Sequence, residues 1–153
     1  MRHDIRHTMR LGVYFTLDEM VATDTNLLNE PYDQELINLT RLVTLTLDPI
    51  REDVGPLRVT SGYRSEAVNQ AVGGVSDSYH TDGLAADVQH IKLSARELFN
   101  EIKTWFEYAG IIDKCILEFD RWVHIQIAPI GEVNRNEFLI AEKVNGKTQY
   151  REA

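Results

Sequence analysis

Apolar positions recur along this chain with two different periods, and the change from one to the other organises it. From Asp33 to about Arg51, Leu36, Leu39, Val43, Leu47 and Ile50 return every three or four residues, the spacing of one helix face. Pro49 falls late in this helix and Gly55-Pro56 ends the segment. Thr16-Leu17-Asp18-Glu19 has the form of a capping box opening a short helix, and Ser94-Ala95-Arg96-Glu97 is a second one. After the second box, Leu98, Ile102, Trp105 and Ala109 follow on one face before Gly110. Ser65 to Gln70 reads as one or two helical turns stopped by Gly73-Gly74.

Strand patterns concentrate in the second half. Leu57 to Thr60 reads as an early strand running into the turn Ser61-Gly62-Tyr63. Ile111 to Phe119 and Trp122 to Ile127 read as two strands joined by a tight turn around Asp120-Arg121. Phe138 to Val144 and Lys147 to Arg151 flank Asn145-Gly146, a strong hairpin signal. Helices early and strands late predict an α+β fold, with helices packed on a mainly antiparallel sheet.

Composition adds limits. A chain of 153 residues, 43% of them hydrophobic, is enough for one domain with a core, so a single domain over 1–153 is expected, with about the first dozen residues and the last few flexible. The 24 acidic residues outnumber the 16 basic ones, giving a net charge of −8, and the lysines and arginines are scattered. Neither nucleic acid nor an anionic membrane is expected as a partner, and the protein is read as a monomer. The N-terminal MRHDIRHTMRLGVYF lacks the apolar stretch of a secretory signal, so cytoplasmic synthesis is expected. The single cysteine, Cys115, rules out an internal disulfide and reads as a buried apolar residue.

The stretch SYHTDGLAADV carries the chemistry. His80 on a loop and Asp87 on the strand after it are residue types that bind a divalent metal, and zinc accepts both. Gly83 allows a sharp turn between them, while Ala85 and Ala86 leave room for close packing. A third ligand is required. His3 and His7 lie in the N-terminal stretch and His90 in a loop, but His124 sits in WVHIQI, where a period of two puts Trp122, His124 and Gln126 on one face and Val123, Ile125 and Ile127 on the other. The aliphatic face belongs to the core, so His124 faces a cleft. Three ligands leave Zn2+ a position for water, the arrangement of a catalytic site.

These residues resemble the M15 family of zinc peptidases, in the branch common among phage endolysins and close to D-alanyl-D-alanine carboxypeptidases; the hedgehog signalling domain shares that core fold. YFTLDEM, LDPIREDVGPLRVTSGYRSEAVN, SYHTDGLAADV and EFDRWVHIQI look like the family's successive blocks. The resemblance implies that His80, Asp87 and His124 bind zinc, that Glu118 is the general base and that Arg64 contacts the substrate. Some relatives carry the acid three residues before the last histidine, where this chain has Arg121, which makes Asp120 a rival base. Tyr79 and Asp82 depart from the usual motif. Trp122 is read as a wall of the cleft or a core residue, and Ser61 and Tyr63 as turn residues that also line the site.

By the same resemblance, the substrate is the stem peptide of bacterial peptidoglycan, and the implied role is a phage cell-lysis enzyme that reaches the wall after release, or a part of a virion. The alternatives are a D-alanyl-D-alanine carboxypeptidase and a non-catalytic, zinc-containing module of a virion.

Overall fold

Leu11, Phe15, Leu17 and Met20 bring the N-terminal segment into the core of the computed structural model, which describes residues 8–153. His3 and His7 lie outside the described residues. The part of the expected flexible start that is described is held: Arg10 pairs with Thr16, and Leu11 is buried. The C-terminus is held too, since the Ala153 N–H donates to the Phe138 carbonyl.

Both capping boxes form. In α1 (Leu17–Val21) the Glu19 N–H donates to Thr16 Oγ1 while the Glu19 carboxylate accepts from the Thr16 N–H, and Ser94 and Glu97 do the same for α5 (Ala95–Phe106). The long helical segment is not one regular helix. It runs as α2 (Asp33–Leu42), a π-helical turn (Val43–Leu47) and α3 (Asp48–Val54). Pro49 has no N–H and in a regular helix its ring meets the carbonyl four residues back. The wider turn, in which the Asp48 N–H reaches Val43 O five residues back, accommodates it. Gly55, at φ +91°, ends the segment.

α5 corrects one expectation. Its inward face is Ala95, Leu98, Phe99, Ile102 and Phe106, and the helix stops at Phe106. Trp105 is 65% exposed, because the line from Leu98 through Ile102 continues four residues on to Phe106 rather than three on to Trp105. The short α4 (Glu66–Ala71) is capped by Ser65, whose Oγ accepts from the Val68 N–H.

Six strands form one sheet: β1 (Leu57–Ser61), β2 (Ala85–His90), β3 (Lys114–Glu118), β4 (Trp122–Gln126), β5 (Glu137–Val144) and β6 (Lys147–Glu152). Their order is β1-β2-β4-β3-β5-β6, antiparallel throughout except for the parallel β3–β5 pair. The fold is therefore α+β with a mainly antiparallel sheet. Phe119 and Asp120, at φ +55° and +57°, make the β3–β4 turn, which the Arg121 N–H closes on Glu118 O. Asn145 and Gly146, at φ +52° and +77°, make the β5–β6 turn in the form that suits a twisted hairpin.

The sheet's two faces differ in chemistry. Ala86, Val88, Cys115, Leu117, Val123, Ile125, Phe138 and Ile140 join the core beneath the helices, with α5 packed on β2, β3 and β4. Paired residues share a face, so Asp87, His124 and Ile116, which are register partners across β2, β4 and β3, stand together on the opposite one. Burying each large aliphatic side chain of the inner face contributes roughly 1.5–3 kcal/mol. That contribution fixes the strands' facing, and with it the facing of the polar residues between them.

Candidate metal centre

Asp87 and His124 are directly opposite each other in the β2–β4 ladder, so their side chains leave the sheet side by side. His80 comes to them from the run of turns before β2. Its N–H donates to Ser78 Oγ (3.2 Å) and its carbonyl accepts from the Arg64 N–H (3.1 Å). Gly83 closes this loop at φ +74°, and a Cβ there would lie 2.6 Å from the Glu35 carbonyl of α2. Both the turn and the close approach of backbone to backbone require glycine. Ala85 and Ala86 are fully buried, as the packing reading expects.

The three side chains are buried and converge. His124 Nδ1 lies 3.0 Å from Asp87 Oδ1, and His80 Nε2 lies 3.3 Å from the same oxygen. The imidazole rings stand edge to face, 5.2 Å between centroids. One ligand atom from each residue lies within 4.8 Å of the other two. The outward nitrogens are engaged elsewhere: His80 Nδ1 meets the Gly62 carbonyl at 2.8 Å and His124 Nε2 meets Gln126 Oε1 at 2.8 Å. A carbonyl can only accept, so His80 Nδ1 carries the hydrogen and Nε2 offers its lone pair inward.

Two imidazole nitrogens and a carboxylate aimed at one point fit a divalent cation, and this donor set is one that zinc takes. The electrostatics agree. Burial opposes the charge on Asp87, but His80 and His124 beside it hold its carboxyl well below the usual carboxylate range. Burial likewise opposes a charged His124, yet the Asp87 hydrogen bond and charge raise its pKa. Both shifts favour a proton on His124 beside an ionised Asp87, and a cation bound at Nδ1 must displace it.

A cleft of about 630 Å³ opens over these residues, with Arg64, Glu118 and Trp122 among its walls. Glu118 Oε1 is 3.7 Å from His124 Nδ1. Burial and the Asp87 charge raise the Glu118 pKa. Asp120 is elsewhere: it lies in the turn with its side chain 60% exposed and paired to Arg96 Nε at 2.9 Å. Arg64 is braced within the protein, Nε donating to Ser61 Oγ (2.9 Å) and Nη1 to Asn69 Oδ1 (3.3 Å), with Nη2 3.5 Å from Asp87 Oδ2. A register shift in β1 between Val59 and Ser61 sets Ser61 opposite Asp87, where it can hold Arg64.

Not every expected residue lines the cleft. Tyr63 is a correction: it is buried against the core and borders a separate hollow with Glu35 and Glu66, because its backbone N–H is drawn to Met20 O (2.7 Å). Ser61 reaches the site only through Arg64. His90 is a second correction: it ends β2 opposite Leu57 rather than lying in a loop, its Nδ1 accepting from the Lys92 and Leu93 N–H groups of the turn that follows and its Nε2 meeting the Val54 carbonyl. Cys115 is buried on the core face, where burial pushes its thiol pKa up. Tyr79, a departure from the usual motif, lines the cleft.

Sequence reasoning missed Asp113, Gln126 and Arg135, which stand in a chain behind His124. Gln126 had a signal, since it shares the His124 face two residues on. Asp113 and Arg135 had none, because they meet only once β5 has paired with β3.

No curated protein matches this chain. A family model, described as peptidase M15, matches residues 13–126, well over half of the chain, and the matched stretch contains His80, Asp87, His124, Arg64 and Glu118. With all five α-helices, strands β1 to β4 and the convergent His-Asp-His cluster lying in that stretch, the chain belongs to the M15 peptidase family.

Proposed function

We propose that the protein is a zinc-dependent peptidase that hydrolyses an amide bond in the stem peptide of bacterial peptidoglycan. The observation that carries this reading is the convergence of His80 Nε2, Asp87 Oδ1 and His124 Nδ1 beside Glu118 at the floor of an open cleft. When bound there, zinc supplies Lewis acidity toward an amide carbonyl and lowers the pKa of a water molecule to roughly 7.

The remaining chemistry falls to the chain's own groups. Glu118, with its proton affinity raised by burial and by Asp87, accepts the water proton and delivers it to the departing amine. Arg64, locked by Ser61 and Asn69, offers its cleft-facing edge to a substrate carbonyl or carboxylate and so fixes the peptide in register with Glu118. Trp122 forms a side wall of the cleft. Cell lysis, with release to the wall or action from within a virion, is the setting proposed for this activity, on the strength of the resemblance of its sequence blocks to those of phage endolysins.

The test is digestion of purified bacterial cell walls with and without a chelator, followed by mass spectrometry of the fragments. Chelator-sensitive release of new amino groups supports the reading, and the fragment masses separate an internal cut from removal of a terminal D-alanine. Binding to walls with no release, at any zinc level, would make the chain a non-catalytic module instead.

A further inference from the structure

On the side of His124 turned from Asp87, along a wall of the same cleft that Gln126 and Arg135 line, runs a continuous line of hydrogen bonds whose directions are fixed by chemistry. Arg135 clamps Asp113 with Nε on Oδ1 (2.9 Å) and Nη2 on Oδ2 (2.7 Å), and its backbone N–H adds a third bond to Oδ1 (3.0 Å). Asp113 is 1% exposed and, with its bonds from Arg135, stays ionised. A carboxylate only accepts, so the neighbour 2.8 Å from Oδ2 must be the Gln126 amide NH2. The other end of that amide is then its oxygen, 2.8 Å from His124 Nε2. An oxygen there demands a hydrogen on Nε2, which leaves the lone pair of a neutral His124 on Nδ1, the nitrogen that faces Asp87 and Glu118.

We propose that Arg135, Asp113 and Gln126 form a positioning chain that holds His124 in the one tautomer able to bind the metal through Nδ1, and so sets metal affinity without touching the ion. The inference rests on the zinc site described above and goes beyond it. Partners of this kind behind a ligand histidine typically change metal affinity about 10–100-fold when removed. The element geometry supports the assignment. Gln126 is two residues from His124 on the same strand face, and Asp113, just ahead of β3, is tied to Gln126 by backbone as well, its N–H donating to Gln126 O (2.8 Å). Arg135 arrives on the loop before β5, where the Glu137 N–H donates to Asp113 O (3.0 Å). The chain is thus assembled by the same pairings that build the sheet.

The argument makes an unusual demand of Asp113→Asn. Arg135 keeps an oxygen opposite its Nε and backbone N–H, so the new NH2 takes the place of Oδ2, where it loses the bond from Arg135 Nη2 and confronts the Gln126 NH2. Rotating the Gln126 amide relieves that clash but turns an NH2 on His124 Nε2. Nε2 must then accept, and the hydrogen moves to Nδ1, the metal-binding atom. Asp113→Asn should therefore weaken zinc binding about 10–100-fold. Adding Gln126→Glu to Asp113→Asn supplies a carboxylate that accepts from both sides, and affinity should return to within about threefold of the unaltered chain, since carboxylate–histidine–zinc arrangements are effective.

The experiment is a zinc competition titration against a chelator of known affinity on the unaltered chain, Asp113→Asn, the double variant and Gln126→Met. It is joined to 15N NMR of His124 in the zinc-loaded protein, which should show a hydrogen on Nε2. Loss of affinity in Asp113→Asn and Gln126→Met with rescue in the double variant supports the chain. A merely structural Asp113 would lower the melting temperature of Asp113→Asn and of the double variant alike, leave zinc affinity unchanged, and overturn the proposal. So would an Nδ1 hydrogen in the zinc-loaded protein, a result that needs no variant to fold. If the unaltered chain takes up no zinc, the proposed function falls with the chain; if it binds zinc and the variants bind equally well, only the positioning chain falls.

Discussion

Replacing Glu118 with glutamine separates the two candidate bases. The exchange keeps the side chain's size while removing the oxygen that accepts a proton, and it disturbs little else, because Glu118 stands at the cleft wall with its side chain 21% exposed. Its Oε1 is 3.7 Å from His124 Nδ1, close enough to reach a water beside the ligand cluster. A general base contributes about 10²–10⁴ in rate, which at 1.36 kcal/mol per decade is roughly 2.7–5.4 kcal/mol of transition-state stabilisation. Asp120 offers the contrast. It is in the β3–β4 turn, bound to Arg96 through two hydrogen bonds (2.9 and 3.1 Å), and does not line the cleft. The assay is kcat/KM for release of amino groups from a peptidoglycan peptide, with zinc content measured on each preparation. Glu118→Gln should retain zinc and lose about 10²–10⁴ of its activity, while Asp120→Asn stays within a few-fold on the same scale. Full activity in Glu118→Gln, or collapse in Asp120→Asn with zinc retained, would refute the assignment; loss of zinc in Glu118→Gln would make it a support of the metal site.

Arg64→Ala should leave zinc and fold in place yet lower kcat/KM at least tenfold, about 1.4 kcal/mol of transition-state binding, and Arg64→Lys should recover it only partly because a point charge lacks the planar fork now set by Ser61 and Asn69; unchanged kinetics in Arg64→Ala would remove it from the site. Gly83→Ala should cost more than about 1 kcal/mol, since it forces a side chain to φ +74° and sets a Cβ 2.6 Å from the Glu35 carbonyl; a melting temperature equal to that of the unaltered chain would contradict this. Burial works against charge on Asp113, but Arg135 and Gln126 hold its pKa below the usual range, so its contribution is present above the unfolded value of about 3.9 and is lost as pH falls through the folded one. Denaturant titrations should accordingly show a shallower loss of stability below about pH 4 in Asp113→Asn than in the unaltered chain, and equal slopes would show that Asp113 contributes nothing to acid sensitivity.

Much of this arrangement was legible in the order of residues, for identifiable reasons. WVHIQI announces its two faces because a strand's period leaves no freedom once Val123 and Ile125 are buried, and His124 follows from that. The capping boxes and Asn145-Gly146 are short-range signals, decided within four residues, and all of them form as read. What was not legible depends on competition or distance. The Asp33 to Arg51 pattern shows a helix but not its π-helical turn, which arises from Pro49 meeting a backbone that the core holds in place on both sides. Trp105 and Phe106 both fit an apolar face, and only packing decides that Phe106 turns inward. Tyr63 read as a site residue from its place beside Arg64, yet the Met20 carbonyl captures its N–H and its ring goes to the core. Asp113 and Arg135 belong to different elements and acquire their relation to His124 only in the folded sheet.

The most direct measurement of the account is reconstitution of metal-stripped protein. Zinc is added in fractions of an equivalent while hydrolysis of peptidoglycan peptide is followed. If His80, Asp87 and His124 form the one catalytic site, activity starts near zero, rises in proportion to zinc and levels at one ion per chain, and His124→Ala shows no such rise. Activity that survives the removal of metal, or that returns equally in His124→Ala, would contradict it.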